Sequence, residues 1–411
     1  KTSVNLQHLT MLEEHKECLD KRGSISKIHS NEYYTAVMEE DLQRIEDLIE
    51  KHGSNFLIEP QGKVYKEAFC KGFAILPLHL AASYRKIQSM QSLLSAGADT
   101  ELRGLRTRKI MYFLILNTSQ KPDSKFQTKV IGVCTKAEAC LRLLCDHGVN
   151  INAKVSFPCR ALSAVQILAC YGADVNAVDG SGMAPLHMAA GILHKNIIAS
   201  LLRHGANVNM VCIHTGNTPL HLAAVAMATK TTKTPEDATS SITELLEQGA
   251  EPNAVNNAGM TPLHEACSMG NEELVDLLLS YGASMYKLSE AGENCLYLFL
   301  NNMPNVRNVS LLVKLLSLTS PLTVYNQKGH LPLTLTKPCF FKQRDYLMNL
   351  TRQPRRLQDI CKSDIYLTHV RGKKEETRKI LPDKLYKFIF NHWENVHNIS
   401  FVTDSEQEYV K

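Results

Sequence analysis

Polar and apolar positions along this chain follow a helical period, broken at regular steps by short Gly-containing turns. The pattern is sharpest where Thr218-Pro219-Leu220-His221 and Thr261-Pro262-Leu263-His264 each open an apolar stretch, with Ala184-Pro185-Leu186-His187 a third version carrying one substitution. Thr at that point predicts a helix N-cap, Pro suits the first helical turn, and Leu is the first core-facing residue. A second apolar helix and a Gly-Ala turn follow in every case.

Gly172-Ala173-Asp174-Val175-Asn176 and Gly205-Ala206-Asn207-Val208-Asn209 place Asn176 and Asn209 33 residues apart. Gly249-Ala250-Glu251-Pro252-Asn253 comes 44 residues after Asn209, an insertion of 11, and Gly282-Ala283-Ser284-Met285-Tyr286 restores the step of 33. A repeated helix pair of this length resembles the ankyrin-repeat family. The resemblance implies an all-α solenoid of helix-turn-helix units with short hairpin turns.

Weaker copies extend it in both directions. Pro77 to Ala82 with Leu93 to Asp99 is an earlier unit, and Tyr34 to Gly53 suits a degenerate N-terminal cap. Cys140 to Gly148 reads as a second helix with its turn, after a polar insertion at Asn117 to Gln127. Asn294-Cys295-Leu296-Tyr297 is a worn tetrapeptide, and Leu331-Pro332-Leu333-Thr334 a last one in the closing cap. Eight or nine units are expected over residues 30–350, after an N-terminal segment at 1–29. One unit, near residues 153–176, is nine residues short because Asn152 precedes Asn176 by only 24. Helices near Cys140 and Val165 should therefore stack poorly, since a solenoid is held by neighbour contacts.

Composition narrows the class. Hydrophobic residues are 44% and aromatics 7%, fitting small Leu- and Ala-rich interfaces, and the 12 Cys are scattered with no Cys-x-x-Cys pair. A reducing cytoplasmic or nuclear setting is expected. The longest apolar run, Ile110 to Leu116, is too short to span a bilayer, and the net charge of +5 is too small to imply nucleic-acid binding. The chain opens on Lys1, so N-terminal targeting signals lie outside what can be read.

Charge marks a second module. From Thr351 to Lys387 there are eleven Lys or Arg against five Asp or Glu. Inside it, Leu357, Cys361 and Ile365 stand at i, i+4 and i+8, one face of a short helix. Farther on, Pro382 and Asp383 start another helix, with Leu385 on one face. This arrangement at residues 354–392, followed by a tail at 393–411, resembles the SOCS box that closes a family of ankyrin-repeat proteins. The resemblance implies that Leu357, Cys361 and Ile365 bind Elongin C, with Elongin B, and that Leu381, Pro382 and Leu385 contact a cullin. Arg356 and Lys384 depart from the usual motif, so Elongin binding is better supported than cullin binding. The alternative is a helical cap in which the same apolar face packs inward on the last repeat.

Candidate chemistry is sparse. His79, His187, His221 and His264 occupy one repeat position each, where hydrogen bonding to turns is the expected role. Cys134, Cys140, Cys145 and His147 could be written as a zinc set, but Cys140 and Cys145 sit at inward positions of an apolar helix. No catalytic constellation, metal site or cofactor site is expected, and Gly180-Ser181-Gly182 is a turn. The expected function is a protein-binding scaffold whose concave surface captures a protein and whose C-terminal box recruits a cullin-RING ubiquitin ligase; the alternative is a plain scaffold. Asn176, Asn209 and Asn253, each with a Leu eight residues upstream at Leu168, Leu201 and Leu245, resemble ankyrin sites of asparaginyl hydroxylases. Their bonding role in the turn is the simpler reason for their presence.

Overall fold

The computed structural model describes residues 27–58, 75–102, 127–151, 162–229, 235–353, 357–369, 378–379 and 381–391. Among them secondary structure is helical apart from one isolated antiparallel bridge between Ile58 and Ile75. The chain divides into two units, Lys1–Ala173 and Asp174–Lys411.

The first unit holds α1 (Lys27–Glu39), α2 (Leu42–His52), α3 (Pro77–Tyr84), α4 (Ile87–Ser95), α5 (Gln127–Asp146) and α6 (Leu162–Cys170), with α1 packed on α2 and α3, α4 on α2, α3 and α5, and α5 on α6. Asp41 caps α2 by accepting from the Arg44 amide at 3.2 Å. Tyr33, Ile45, Met90, Leu141 and Ile167 belong to one continuous buried cluster. Of the shortened repeat the described residues include α6, and residues 152–161, where its first helix was expected to begin, lie outside them. The expected poor stacking at Cys140 is corrected: α5 packs on α6, and Cys140, Leu144, Ala164, Ile167 and Leu168 share the core. Apolar side chains on one face suffice for α6 to close on its neighbour.

In the second unit the helix pairs are α7 (Pro185–Gly191) with α8 (Lys195–Arg203), α9 (Pro219–Thr229) with α10 (Pro235–Glu247), α11 (Pro262–Ser268) with α12 (Glu272–Ser280), and α13 (Cys295–Asn301) with α14 (Val309–Leu318). First helices stack on first helices, α7 on α9 on α11 on α13, burying Leu186, Leu220, Leu263 and Leu296. The insertion of 11 residues between Asn209 and Asn253 is taken up partly as helix: α9 has 11 residues where α7 and α11 have 7, and α10 has 13 where α8 and α12 have 9. Extra residues are absorbed as helix because each added turn of α9 buries more apolar surface, at Ala226 and Met227. Leu331 to Thr334 opens a 3₁₀ turn, Leu333–Thr336, rather than an α-helix. Then come α15 (Phe341–Arg352), α16 (Leu357–His369) and α17 (Asp383–Asn391), with α16 packed on α14 and α17 on α16.

Candidate protein-interaction surfaces

The tetrapeptide is a local hydrogen-bond device that also reaches into the next unit. Thr261 Oγ1 accepts from the His264 amide at 3.3 Å, and the Thr261 amide donates to His264 Nδ1 at 3.0 Å. With Nδ1 thus an acceptor, Nε2 carries the proton and donates to the Lys287 carbonyl at 3.1 Å. His221 does the same toward Met260 at 2.9 Å, and His187 toward Asn217 at 3.1 Å. Ala184 lacks the capping hydroxyl, yet its amide still donates to His187 Nδ1 at 3.2 Å. In the worn copy Asn294 caps α13 by accepting from the Tyr297 amide at 2.7 Å. The Tyr297 hydroxyl then donates to the Leu331 carbonyl at 3.5 Å, replacing the imidazole. Burial depresses the pKa of His187, His221 and His264, the last to about 4, so these rings stay neutral.

The turn asparagines act between units rather than within one turn. Asn176 donates to the Gly205 carbonyl at 3.2 Å and accepts from the Asn207 amide at 2.8 Å. Asn209 joins Gly249 and Glu251 in the same way, and Asn253 joins Gly282 and Ser284. Hairpins between repeats touch as well: the Asn257 amide donates to Thr215, Glu290 to Ala258, and Gln327 to Ala291, each near 3.0 Å. Gly259 lies at φ +68°, and a Cβ there would stand 2.5 Å from the Glu290 amide nitrogen. Side chains on these hairpins are thereby held on an ordered surface, with Val211, Ile213, Val255 and Leu288 exposed.

On the opposite helices lies a shallow polar groove formed by Lys195, Thr239, Thr243, Glu244, Glu247 and Glu273. Thr239 Oγ1 donates to Glu273 there at 2.6 Å.

Among the C-terminal residues, Leu357 is 75% exposed and Cys361 is exposed, whereas Ile365 is half-buried. The buried face of α16 is polar instead, with Lys362 at 4% and Ser363 at 3%. Tyr366 is drawn toward the solenoid, where burial, then the nearby Asp276 carboxylate, push its phenol up to about 12. Lys314 on α14 anchors that corner, donating to Glu272 at 2.9 Å and to both Asp276 oxygens at 2.8 Å. Leu381 is half-buried, Pro382 exposed and Leu385 42% exposed. The Pro382 carbonyl accepts from the Leu385 and Tyr386 amides at 2.9 Å, closing the first turn of α17. Ile360, also exposed, and Tyr366 escaped the sequence reading, because neither lies on the i, i+4, i+8 line.

Cys140 and Cys145 are packed among Leu141 and Leu144, and burial pushes both thiols up to about 11, as inward core positions require. His147 Nδ1 lies 2.8 Å from the Leu143 carbonyl. The placement of the Cys134 side chain lies outside the described residues. No helix among the described residues is long and apolar enough to cross a membrane.

Comparison with known proteins agrees with the repeat geometry. Family descriptions of ankyrin repeats match residues 158–234, 215–257 and 237–279. Human Rabankyrin-5 is 34% identical over 137 residues, covering 33% of this chain and 12% of that protein. Human Ankyrin repeat and SOCS box protein 16 is 27% identical over 277 residues, covering 56% of this chain and 60% of that protein. Its mouse counterpart is 33% identical over 128 residues, covering 30% of this chain and 28% of that protein. The chain thus spans less than two thirds of each of these relatives. From the repeated helix pairs, the imidazole and carboxamide bridges between them, and these matches, the chain carries ankyrin repeats and folds as an all-α ankyrin solenoid.

Proposed function

We propose that this protein-interaction scaffold is a substrate-recognition subunit, holding a protein on its repeat surface and recruiting Elongin B/C and a cullin through residues 354–392. The observation that carries the reading is the orientation of α16. A structural cap would turn Leu357 and Cys361 inward, yet both are exposed while Lys362 and Ser363 are buried and Tyr366 lies near Asp276 and Lys314 of the solenoid. Exposing an aliphatic anchor beside a thiol costs hydrophobic burial without improving the fold, which fits a face covered by a partner. Similarity to a relative named for a SOCS box supports the same reading. Leu381, Pro382 and Leu385 are assigned to the cullin on the weaker ground of their motif and the exposure of Pro382 and Leu385. Catalysis has no part in this function.

Co-expression with Elongins B and C tests it. The chain should co-purify with them, and Leu357→Ala combined with Cys361→Phe should release them, because a groove anchor is lost and a neighbouring pocket overfilled. Both positions are exposed, so the double variant should keep its thermal midpoint. A wild-type chain that purifies alone would return the protein to the plain scaffold class.

A further inference from the structure

Residues three positions after the first residue of α7, α9, α11 and α13 are Met188, Leu222, Glu265 and Leu298. Because these helices stack in that order, the four positions form one row on the first-helix face. Met188, Leu222 and Glu265 are half-buried and Leu298 is buried. Near this row the chain also exposes apolar side chains, with Met269 one helical turn beyond Glu265 and Val255 on the hairpin before it.

Glu265 is the odd member. Burial alone raises the pKa of its carboxyl, and no hydrogen bond or ion pair reaches that side chain from any described residue. Glu272, one helix away, shows the contrast, with Lys314 and Ser310 both donating to its Oε1 at 2.9 and 2.8 Å. A half-buried carboxylate, partly withdrawn from water and without a protein partner, is less favourable than one that is paired or fully solvated. Its equivalents in neighbouring repeats are apolar, so stacking does not demand an acid here. What the fold leaves unexplained, a cationic ligand group would satisfy.

We propose that this face docks a protein segment presenting one Arg or Lys side chain flanked by aliphatic or aromatic ones. The cation pairs with Glu265, and the flanking groups cover Met188, Leu222, Met269 and Val255. Arg fits best, since its planar fork can meet both carboxylate oxygens. The flexible thioethers of Met188 and Met269 adapt to different neighbours, leaving the charge as the fixed element of specificity. The inference rests on the interaction-scaffold reading but is independent of Elongin recruitment.

The test is selection of a random displayed library of 12-residue peptides on the immobilised full chain. The expected result is enrichment of one Arg or Lys bracketed by apolar residues. Selected peptides, made synthetically, should bind Glu265→Gln about 10-fold or more weakly, the loss typical of a charge-assisted bond. Glu265→Leu, copying Leu222, should lose them too while melting no lower than the parent, which separates lost recognition from lost folding. Elongin co-purification should be untouched by either variant. The proposal is overturned if no peptide is enriched, if enriched peptides lack a cation, or if they bind Glu265→Gln as tightly as the parent. Sedimentation showing that the chain self-associates through Glu265 would also overturn it, making a second copy the occupant.

Discussion

His221 Nε2 lies 2.9 Å from the carbonyl oxygen of Met260, which belongs to the next repeat, so one neutral imidazole ties two units together. The same link recurs at His187 and His264. Protonation at Nδ1 would destroy the bond from the capping residue's amide, and burial opposes the charge in any case.

A pH dependence follows from this. The folded state holds these rings below the ordinary histidine value of 6.5, His264 at about 4, so below 6.5 the unfolded chain binds more protons. Stability should be full above pH 6.5 and fall as pH drops toward 4, by up to about 3 kcal/mol from His264 alone. Urea midpoints measured between pH 7.5 and 4.5 check this. In His264→Asn the slope over that range should shrink, and an unchanged slope would remove the imidazole as its source.

Lys314 should be the keystone of the C-terminal corner. Its ammonium is nearly buried between Glu272 and Asp276, and Lys314→Met would leave two carboxylates facing each other beside Tyr366. Because Asp276 stays 46% exposed, water relieves part of the strain, and a loss of about 1–3 kcal/mol is expected. Chemical denaturation measures it. Retention of full stability would mean that α16 docks without this anchor.

Hydroxylation of Asn176, Asn209 and Asn253 should require local opening. Each carboxamide is engaged twice with the following repeat, and Leu168, Leu201 and Leu245 upstream are buried. Co-incubation with an asparaginyl hydroxylase should therefore add oxygen faster in Gly259→Ala, whose strained hairpin loosens the repeat of Asn253. Intact-mass spectra with no added oxygen in either protein would dismiss these residues as sites.

Hydrogen exchange should be slowest where neighbours flank a helix on both sides. Amides of α9 and α11 meet that condition, stacked between α7 and α13. Exchange should be faster in α1, which among the described residues has a stacked first helix, α3, on one side. Equal protection across all of these helices would argue that stacking does not set local stability.

Within the repeats, most of the local structure was legible in the residues themselves. Thr261 and His264 are three residues apart, and the bonds they exchange close within one helical turn, so the tetrapeptide specifies a helix start wherever it stands. The spacing of Asn176, Asn209 and Asn253 marked the turns equally well. It did not reveal that each carboxamide serves the next turn, since partners 29 to 42 residues away are set by stacking. The spacing of Asn209 and Asn253 showed an insertion of 11 residues but not that helix α9 takes part of it, running on through Thr229.

The C-terminal module divides the same way. Leu357, Cys361 and Ile365 announce a helix, and α16 is there. An i, i+4, i+8 line reads identically whether a face is buried or offered to a partner, because periodicity records angle around the axis and not what lies beyond it. Tertiary packing set the exposure, burying Lys362 and Ser363 and leaving Leu357 out. Glu265 belongs to the same class: in the sequence it is one of many glutamates, and only the stack places it in an apolar row without a partner. Short-range bonding is written in adjacent residues, while exposure depends on which distant surfaces meet.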